Sequence, residues 1–180
     1  MNLSMLDARH RKTLRLPGYD YGQNGAYFIT IVTQGRKYLF GEVVDGEMIL
    51  NDIGKMVEET WLKIPDHFDG VITDTFVIMP NHVHGIIEIE RDDERSGVVA
   101  THASPLPLHF NGPVPGSIGA IVGSFKSAVT KRFHEMAKTP EIPLWQRNYH
   151  EHIIRDESDH RSIYDYIITN PLNWEKDTER

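Results

Sequence analysis

Four runs of apolar residues have the composition of buried strands. They are rich in β-branched and aromatic side chains and are bounded by turn-forming residues, a combination that is typical of strands. The runs cover residues 26–33, 71–79, 84–90 and 150–154. A further signal lies at Asp45-Gly46, a dipeptide between two short apolar runs, which predicts a β-hairpin within residues 37–50.

Three other segments repeat their apolar residues at helical spacing. They are residues 51–64, the segment that begins at Ser117, and residues 158–169. In the second of these, an apolar stripe leaves Lys126 and Lys131 on a separate basic face, where we expect them to contribute little to stability. The order strand, helix, strand, strand, helix, strand predicts an α+β fold of the ferredoxin-like type, a four-stranded antiparallel sheet covered by two helices. The hairpin and the C-terminal helix are additions to that plan.

The composition is that of a soluble globular protein, with 39% hydrophobic and 25% charged residues over 180 positions. This length predicts one domain over residues 1–180, in which the Pro- and Gly-rich residues 91–116 form a flexible connector. No apolar run is long enough to span a membrane, and the N-terminus lacks the apolar core of a secretory signal, so we expect a cytoplasmic protein. Since the chain has no cysteine, a metal would have to be held by histidine, carboxylate or amide groups.

Two histidine pairs are candidate metal ligands. His82-Val83-His84 stands at the start of a predicted strand, where the alternation of side chains puts both imidazoles on one face. An isolated His-x-His sequence is more often a surface feature, but the flanking residues here are typical of a core. His150 and His152 repeat the spacing among polar neighbours, and they are the weaker candidates because an edge strand beside a nucleic-acid groove explains them equally well.

The C-terminal predicted helix contains two tyrosines, which its periodicity separates. Tyr164 falls on the apolar side with Ile163, Ile167 and Ile168, so we expect it in the core. Tyr166 falls on the polar side with Asn170 one turn later, although a surface tyrosine is the simpler interpretation. A phenol, with a pKa of about 10, attacks a phosphodiester only with help, which a divalent ion on the phosphate can supply.

Three motifs together resemble a known family. They are PNHVHGIIEI (80–89), WQRNYHEHIIRD (145–156) and DYIITNPLNW (165–174), and the combination is similar to the REP-associated tyrosine transposases. These are single-tyrosine transposases of the insertion-sequence HUH superfamily, and the resemblance covers nearly the whole chain. It implies that His82 and His84 bind a divalent ion, with Asn170 completing the metal site. It also implies that Tyr166 is the nucleophile of a single-stranded DNA endonuclease and strand transferase that forms a 5′-phosphotyrosine intermediate. Mg²⁺ or Mn²⁺ suits the hard phosphate oxygens, although two histidines would also accept zinc or nickel.

Family members recognise short imperfect DNA hairpins, so basic residues are candidates for phosphate contacts. The candidates are Arg9, Arg11, Lys12, Arg15, Lys126, Lys131 and Arg147. Solvated surface charge explains them equally well, and the formal net charge of −7 argues mildly against non-specific coating of nucleic acid. Because relatives differ in whether the tyrosine helix is exchanged between subunits, the chain could also form a homodimer.

Two other functions compete with the transferase. One is a domesticated hairpin-binding protein that uses the same fold on DNA or RNA without cleaving it, but neither a ligand nor a nucleophile is missing from this sequence. The other is a histidine-based phosphoesterase or RNA-processing enzyme, in which water replaces Tyr166 as the nucleophile. A covalent adduct between protein and DNA would distinguish these functions.

Overall fold

Six strands form two antiparallel sheets in the computed structural model, which describes residues 21–91, 113–138 and 142–180. The strands are β1 (Gly25–Val32), β2 (Gly41–Val44), β3 (Glu47–Leu50), β4 (Val71–Ile78), β5 (His82–Ile89) and β6 (His150–Ile154). The main sheet has the order β4-β5-β1-β6, so the first strand along the chain lies next to the last. The strands predicted from the sequence are therefore present, and together with the helices they make a mixed α+β fold.

The predicted hairpin is formed by β2 and β3 as a separate two-stranded sheet. Its turn residues Asp45 and Gly46 both have a positive φ, 51° and 80°. A two-residue turn of this kind matches the twist of the strands, and an Asp-Gly pair adopts it at low cost.

The described residues form four α-helices, and all except the second follow the predicted segments closely. They are α1 (Asp52–Leu62), α2 (Ile64–His67), α3 (Ile118–Ala137) and α4 (Glu157–Thr169). Their starts are capped, since side chains of Asn51, Ser117 and Asp156 accept hydrogen bonds from backbone N–H groups of α1, α3 and α4. Pro65 follows the predicted helical segment 51–64 and belongs to the second helix. It lies in the first turn of the short helix α2, where its missing N–H costs nothing.

The main sheet has a different cover on each face. One face carries Tyr27, Ile29, Ile31, Val83 and Ile87, which pack with Trp61 of α1 and Phe125 of α3 into the larger core. The other face carries Phe28 and Ile86, which pack against Ile167 of α4. The C-terminal helix therefore lies on the sheet face opposite α1 and α3.

The prediction that Tyr164 lies in the core is wrong. Its side chain is 41% exposed and that of Ile168 is 50% exposed, whereas Ile167 is fully buried. Of the residues that periodicity grouped on that side, only Ile163 and Ile167, one turn apart, belong to the apolar cluster with the sheet. The contact with the sheet is thus a narrow strip, and the wider apolar arc that periodicity assigned to it includes residues that face water.

Two expectations fall partly outside the described residues. Of the predicted connector 91–116, the structure describes only residue 91 and residues 113–116. Within the described ranges, no helix combines the length and the apolar character that crossing a membrane requires.

Candidate metal and tyrosine site

His82 and His84 lie side by side on the sheet face that α4 covers. Strand β5 places them opposite Val32 and Thr30 of β1, in the middle of the sheet. Their ring centroids are 4.3 Å apart, and the two side chains are 0% and 2% exposed. Both imidazoles are therefore held on one rigid, buried element.

Hydrogen bonds to the Nδ1 atoms orient the two rings. His82 Nδ1 lies 2.8 Å from Asn81 Oδ1, and His84 Nδ1 lies 2.9 Å from Thr30 Oγ1. The amide oxygen of Asn81 can only accept, so Nδ1 of His82 carries the hydrogen and Nε2 is left with its lone pair. That Nε2 atom is buried and has no hydrogen-bond partner within the described part of the chain. A buried nitrogen in this state has the geometry of a metal ligand.

Both imidazoles are neutral near pH 7. Burial lowers the pKa of His82 to about 4, although the negative charge of Asp177 acts in the opposite direction. Burial also holds the pKa of His84 well below its usual value, and the neighbouring His82 and His150 contribute to that shift. Neutral imidazole is the form that binds metal ions.

Tyr166 reaches the histidine pair from α4. Its hydroxyl lies 3.1 Å from His84 Nε2, and its ring packs edge-on against Phe28 with centroids 6.0 Å apart. Burial raises the pKa of Tyr166 to about 12, and the negative charges of Asp177 and Glu179 act in the same direction. Without a nearby positive charge, the phenol therefore keeps its proton at neutral pH.

Asn170 and Asp177 complete the cluster. Asn170 is 2% exposed, and its Nδ2 donates to Asp177 Oδ2 at 2.7 Å, while its Oδ1 is buried without a partner. Asp177 Oδ2 lies 3.9 Å from His82 Nε2 and 4.0 Å from His84 Nε2. Ligand atoms of His82, His84 and Asp177 all lie within 4.8 Å of one another. With two unpaired buried donor atoms and a carboxylate, these residues fit a divalent cation.

Sequence reasoning missed Asp177 because no local pattern marks it. The residue stands in the polar C-terminal stretch EKDTER, where neither periodicity nor spacing distinguishes one acid from another. It reaches the site because a 3-10 helix, Pro171–Lys176, turns the chain back toward β5. Trp174 of this helix is buried beside His82, with ring centroids 6.0 Å apart.

The last residues are anchored next to the site by two side chains. Arg36 donates to the carbonyl of Thr178 at 2.6 Å and pairs with the Glu179 carboxylate at 3.1 Å. Asn81 Nδ2 donates to the carbonyl of Glu179 at 2.7 Å. Residues 171–180, which we call the C-terminal segment, therefore cover the histidine pair.

The second histidine pair has other contacts. His150 and His152 lie on β6, the edge strand of the sheet. His152 Nε2 is 2.9 Å from Asp159 Oδ2 of α4, which ties the helix to the strand. The ring of His150 packs edge-on against Phe28.

The basic candidates are divided between described and undescribed parts of the chain. Arg9, Arg11, Lys12 and Arg15 lie outside the described residues. Lys126, Lys131 and Arg147 line an open groove of about 610 Å³ between α3 and residues 143–147. Lys126 Nζ donates to the carbonyls of Gln146 and Arg147 at 2.8 and 3.1 Å, and burial lowers its pKa. The sequence led us to expect little contribution of Lys126 to stability, but these bonds tie residues 146 and 147 to α3, so we now expect a larger one.

Comparisons with known proteins place the chain among its relatives. No family model matches it. An uncharacterized protein of Haemophilus influenzae is 43% identical over 170 residues, which span 93% of this chain and 92% of that protein. A second protein of the same organism, named "Putative REP-associated tyrosine transposase", is 26% identical over 154 residues, or 85% of this chain and 73% of its own length.

A solved structure agrees with these relatives at the level of the fold. It is a REP-associated tyrosine transposase bound to a REP hairpin, and it is 21% identical with a TM-score of 0.51. The match covers 84% of this chain and 68% of that one. The resemblance drawn from the three sequence motifs is thus confirmed: the chain is similar to a REP-associated tyrosine transposase in sequence, and to another in fold.

Proposed function

We propose that this protein is a metal-dependent endonuclease and strand transferase that acts on single-stranded DNA at hairpins. The observation that carries the proposal is the distance of 3.1 Å between the Tyr166 hydroxyl and Nε2 of His84, inside a cluster of buried and unpaired ligand atoms. A nucleophile and a metal-binding group that lie this close can act on the same phosphate. The similarity to a REP-associated tyrosine transposase supports the proposal.

Each residue of the cluster has a distinct task in this reaction. His82 and His84 would hold the ion through Nε2, and Asn170 would add its unpaired Oδ1. Mg²⁺ or Mn²⁺ held there would withdraw negative charge from the scissile phosphate. Thr30 and Asn81 keep the two imidazoles in the ligating orientation through their bonds to Nδ1.

Tyr166 performs the covalent step. Its phenol loses a proton to water, and its oxygen attacks phosphorus as the bond from phosphorus to the 3′ oxygen breaks. The 5′ phosphate then remains on Tyr166, and the released 3′ oxygen takes up a proton. Because this phosphotyrosine preserves the energy of the broken bond, a second 3′-OH can reverse the step and join a new strand.

The fold suits this division of labour. The strand order β4-β5-β1-β6 is the order of a ferredoxin-like sheet, and we assign the fold to that class. Helices α1 and α3 cover one face, which leaves the opposite face for the histidines and the tyrosine helix. We treat residues 1–180 as one domain, and a DNA substrate agrees with a cytoplasmic location.

Hairpin DNA is the partner that we propose, with the groove beside Lys131 and Arg147 as the phosphate-binding surface. The fold relative was solved with a REP hairpin, which supports this class of ligand. Tyr166 contacts His84 of its own chain, so we propose that one protomer contains a whole site. A homodimer is then not required for cleavage.

A covalent-adduct assay tests the proposal. The protein, Mn²⁺ or Mg²⁺ and a 3′-labelled single-stranded hairpin should give a labelled band of protein joined to DNA. Tyr166→Phe should remove that band, because phenylalanine keeps the ring but has no oxygen to attack phosphorus. Tyr164→Phe is the matched control, since it removes the hydroxyl of an exposed tyrosine two residues away on the same helix.

Two outcomes would overturn the proposal. Cleavage without an adduct would mean that water is the nucleophile, as in a phosphoesterase. Hairpin binding with neither cleavage nor adduct in the presence of both metals would make the protein a binder of the same fold.

A further inference from the structure

Asp177 carries a buried charge that lacks a cationic partner. Its side chain is 1% exposed, and among the residues that the structure describes, no lysine or arginine forms an ion pair with it. The nearby Arg36 pairs with Glu179 instead. Oδ1 of Asp177 accepts the backbone N–H of Glu179, and Oδ2 accepts one amide hydrogen of Asn170. The Tyr166 hydroxyl is a further hydrogen-bond partner of this carboxylate. All these donors are neutral, and burial of a carboxylate is costly without a compensating positive charge, so they leave a deficit that a cation would remove.

Distances to the histidines fit a shared ion. A divalent ion lies about 2.0 to 2.3 Å from each nitrogen or oxygen ligand, so two ligands of one ion are at most about 4.5 Å apart. Asp177 Oδ2 is 3.9 and 4.0 Å from the Nε2 atoms of His82 and His84, inside this limit. The unpaired Nε2 of His82 and the unpaired Oδ1 of Asn170 belong to the same buried cluster.

We propose that Asp177 is a fourth ligand of the divalent ion, beside His82, His84 and Asn170, and that metal binding fastens the C-terminal segment onto the site. This inference rests on the proposed function only in its requirement for a divalent ion. A ligand set of two nitrogens and two oxygens with one negative charge suits a hard cation such as Mn²⁺ better than two histidines alone would.

Contacts around the site link the ion to the C-terminal segment. Asn81 accepts from His82 with Oδ1 and donates to the Glu179 carbonyl with Nδ2, so one side chain orients a ligand and holds the segment. Arg36 holds Thr178 and Glu179 on the other side. With Asp177 bound to the ion, all three attachments would act together, and loss of the ion would remove one of them.

Calorimetric titration of the DNA-free, full-length protein with Mn²⁺ tests the ligand. Asp177→Asn keeps the shape of the side chain and an oxygen acceptor but removes the charge, and the dissociation constant should rise at least about tenfold. Glu179→Gln is the matched control, because it removes one negative charge from the same segment two residues away. It should change the dissociation constant by less than about threefold, because Glu179 lies outside the ligand set and its charge is paired with Arg36.

Hydrogen exchange of the backbone measures the coupling separately from activity. Saturating Mn²⁺ should slow exchange at residues 177–180 in the unmodified protein and in Glu179→Gln. In Asp177→Asn the same Mn²⁺ occupancy should leave exchange of this segment unchanged. If Asp177 had only a structural role, its replacement would speed exchange equally with and without the metal.

Results of the two assays separate this inference from the proposed function. Equal Mn²⁺ affinity of the unmodified protein and Asp177→Asn would overturn the ligand role and leave the adduct mechanism intact. Weakened affinity in Asp177→Asn, with no phosphotyrosine adduct in the unmodified protein, would support the ligand and overturn the transferase. Absence of Mn²⁺ binding to the unmodified protein would overturn both.

Discussion

At the scale of single residues, the buried histidines make stability depend on pH. The pKa of His82 is about 4 in the folded protein, against an ordinary value of 6.5, because burial disfavours the charged ring. Above pH 6.5, His82 is neutral in both the folded and the unfolded protein, so it does not make stability depend on pH. As the pH falls from 6.5 to 4, His82 becomes protonated in the unfolded chain but stays largely neutral in the folded protein. Stability is therefore lost across this pH range.

We therefore expect the metal-free protein to lose about 3 kcal/mol of unfolding free energy from His82 alone between pH 7 and pH 4. Urea unfolding in EDTA at several pH values measures it. His82→Gln should show a shallower decline than the unmodified protein over the same window. Parallel declines would mean that His82 is not desolvated to the extent that its burial indicates.

Gly85 is a second single residue on which the site depends. It follows His84 on β5 and faces the larger core, where the Trp61 ring lies over its Cα. A methyl group at Gly85 would clash with that ring and lie 2.9 Å from Cβ of Phe76, so strand or ring must shift. Gly85→Ala should lower the unfolding free energy by about 1 to 3 kcal/mol, the usual cost of overpacking a core.

A matched glycine provides the control for this substitution. A Cβ added at Gly123 of α3 would meet no atom within 4 Å. Gly123→Ala should therefore raise the unfolding free energy by up to about 1 kcal/mol, because alanine is the better helix former. Equal effects of the two substitutions would contradict the packing of Trp61 over Gly85.

At the scale of elements, α4 shows how far periodicity can be carried. Helical spacing predicted the extent of α4 to within one residue. It assigned Tyr166 and Ile167 to different faces, but both side chains pack at Phe28 of β1. It failed for Tyr164, because the number of apolar positions that a helix buries depends on the width of the surface beneath it. That width is set by β5 and β1, strands that are distant in the sequence.

Polar pairs hold α4 in place in addition to this narrow apolar strip. His160 Nε2 lies 3.1 Å from Asp74 of β4 and 3.8 Å from Glu88 of β5. Since the helix positions the Tyr166 hydroxyl, loss of His160 should loosen this proposed nucleophile more than it destabilises the fold. His160→Ala should slow adduct formation by up to about fivefold, the equivalent of about 1 kcal/mol for a half-exposed pair.

The control for His160 lies one position further along α4. Among the residues that the structure describes, Arg161 pairs only with Glu157 of the same helix, and its side chain is 77% exposed. Arg161→Ala should leave the rate of adduct formation unchanged in a single-turnover assay. Equal rates for both variants would show that His160 does not position the helix.

At the scale of the whole molecule, a feature can be predicted from the sequence when the residues that form it are close together along the chain. Strands, helices and the spacing of the HUH motif can be recognised from residues that are close together in the sequence. The order of these elements then limits the sheet to few topologies. The C-terminal segment is held instead by Arg36, whose contact with Thr178 joins residues 142 positions apart. No local pattern records such a contact, which is why Asp177 was found only from the structure.

The proposed binding of hairpin DNA depends on the protein surface. Two lysines of one groove allow its effect to be distinguished from an effect on stability. Lys131 is exposed on the groove, whereas Lys126 is half-buried and donates to the carbonyls of residues 146 and 147. Lys131→Ala should weaken hairpin binding and lower the slope of log affinity against log salt by about one, because one phosphate contact is lost. The unfolding free energy of Lys131→Ala should not change.

Lys126→Ala should lower the unfolding free energy by about 1 to 3 kcal/mol, because two hydrogen bonds from a charged group disappear. Fluorescence anisotropy over a salt series and urea unfolding measure the two effects, and an unchanged salt slope for Lys131→Ala would place the hairpin on another surface.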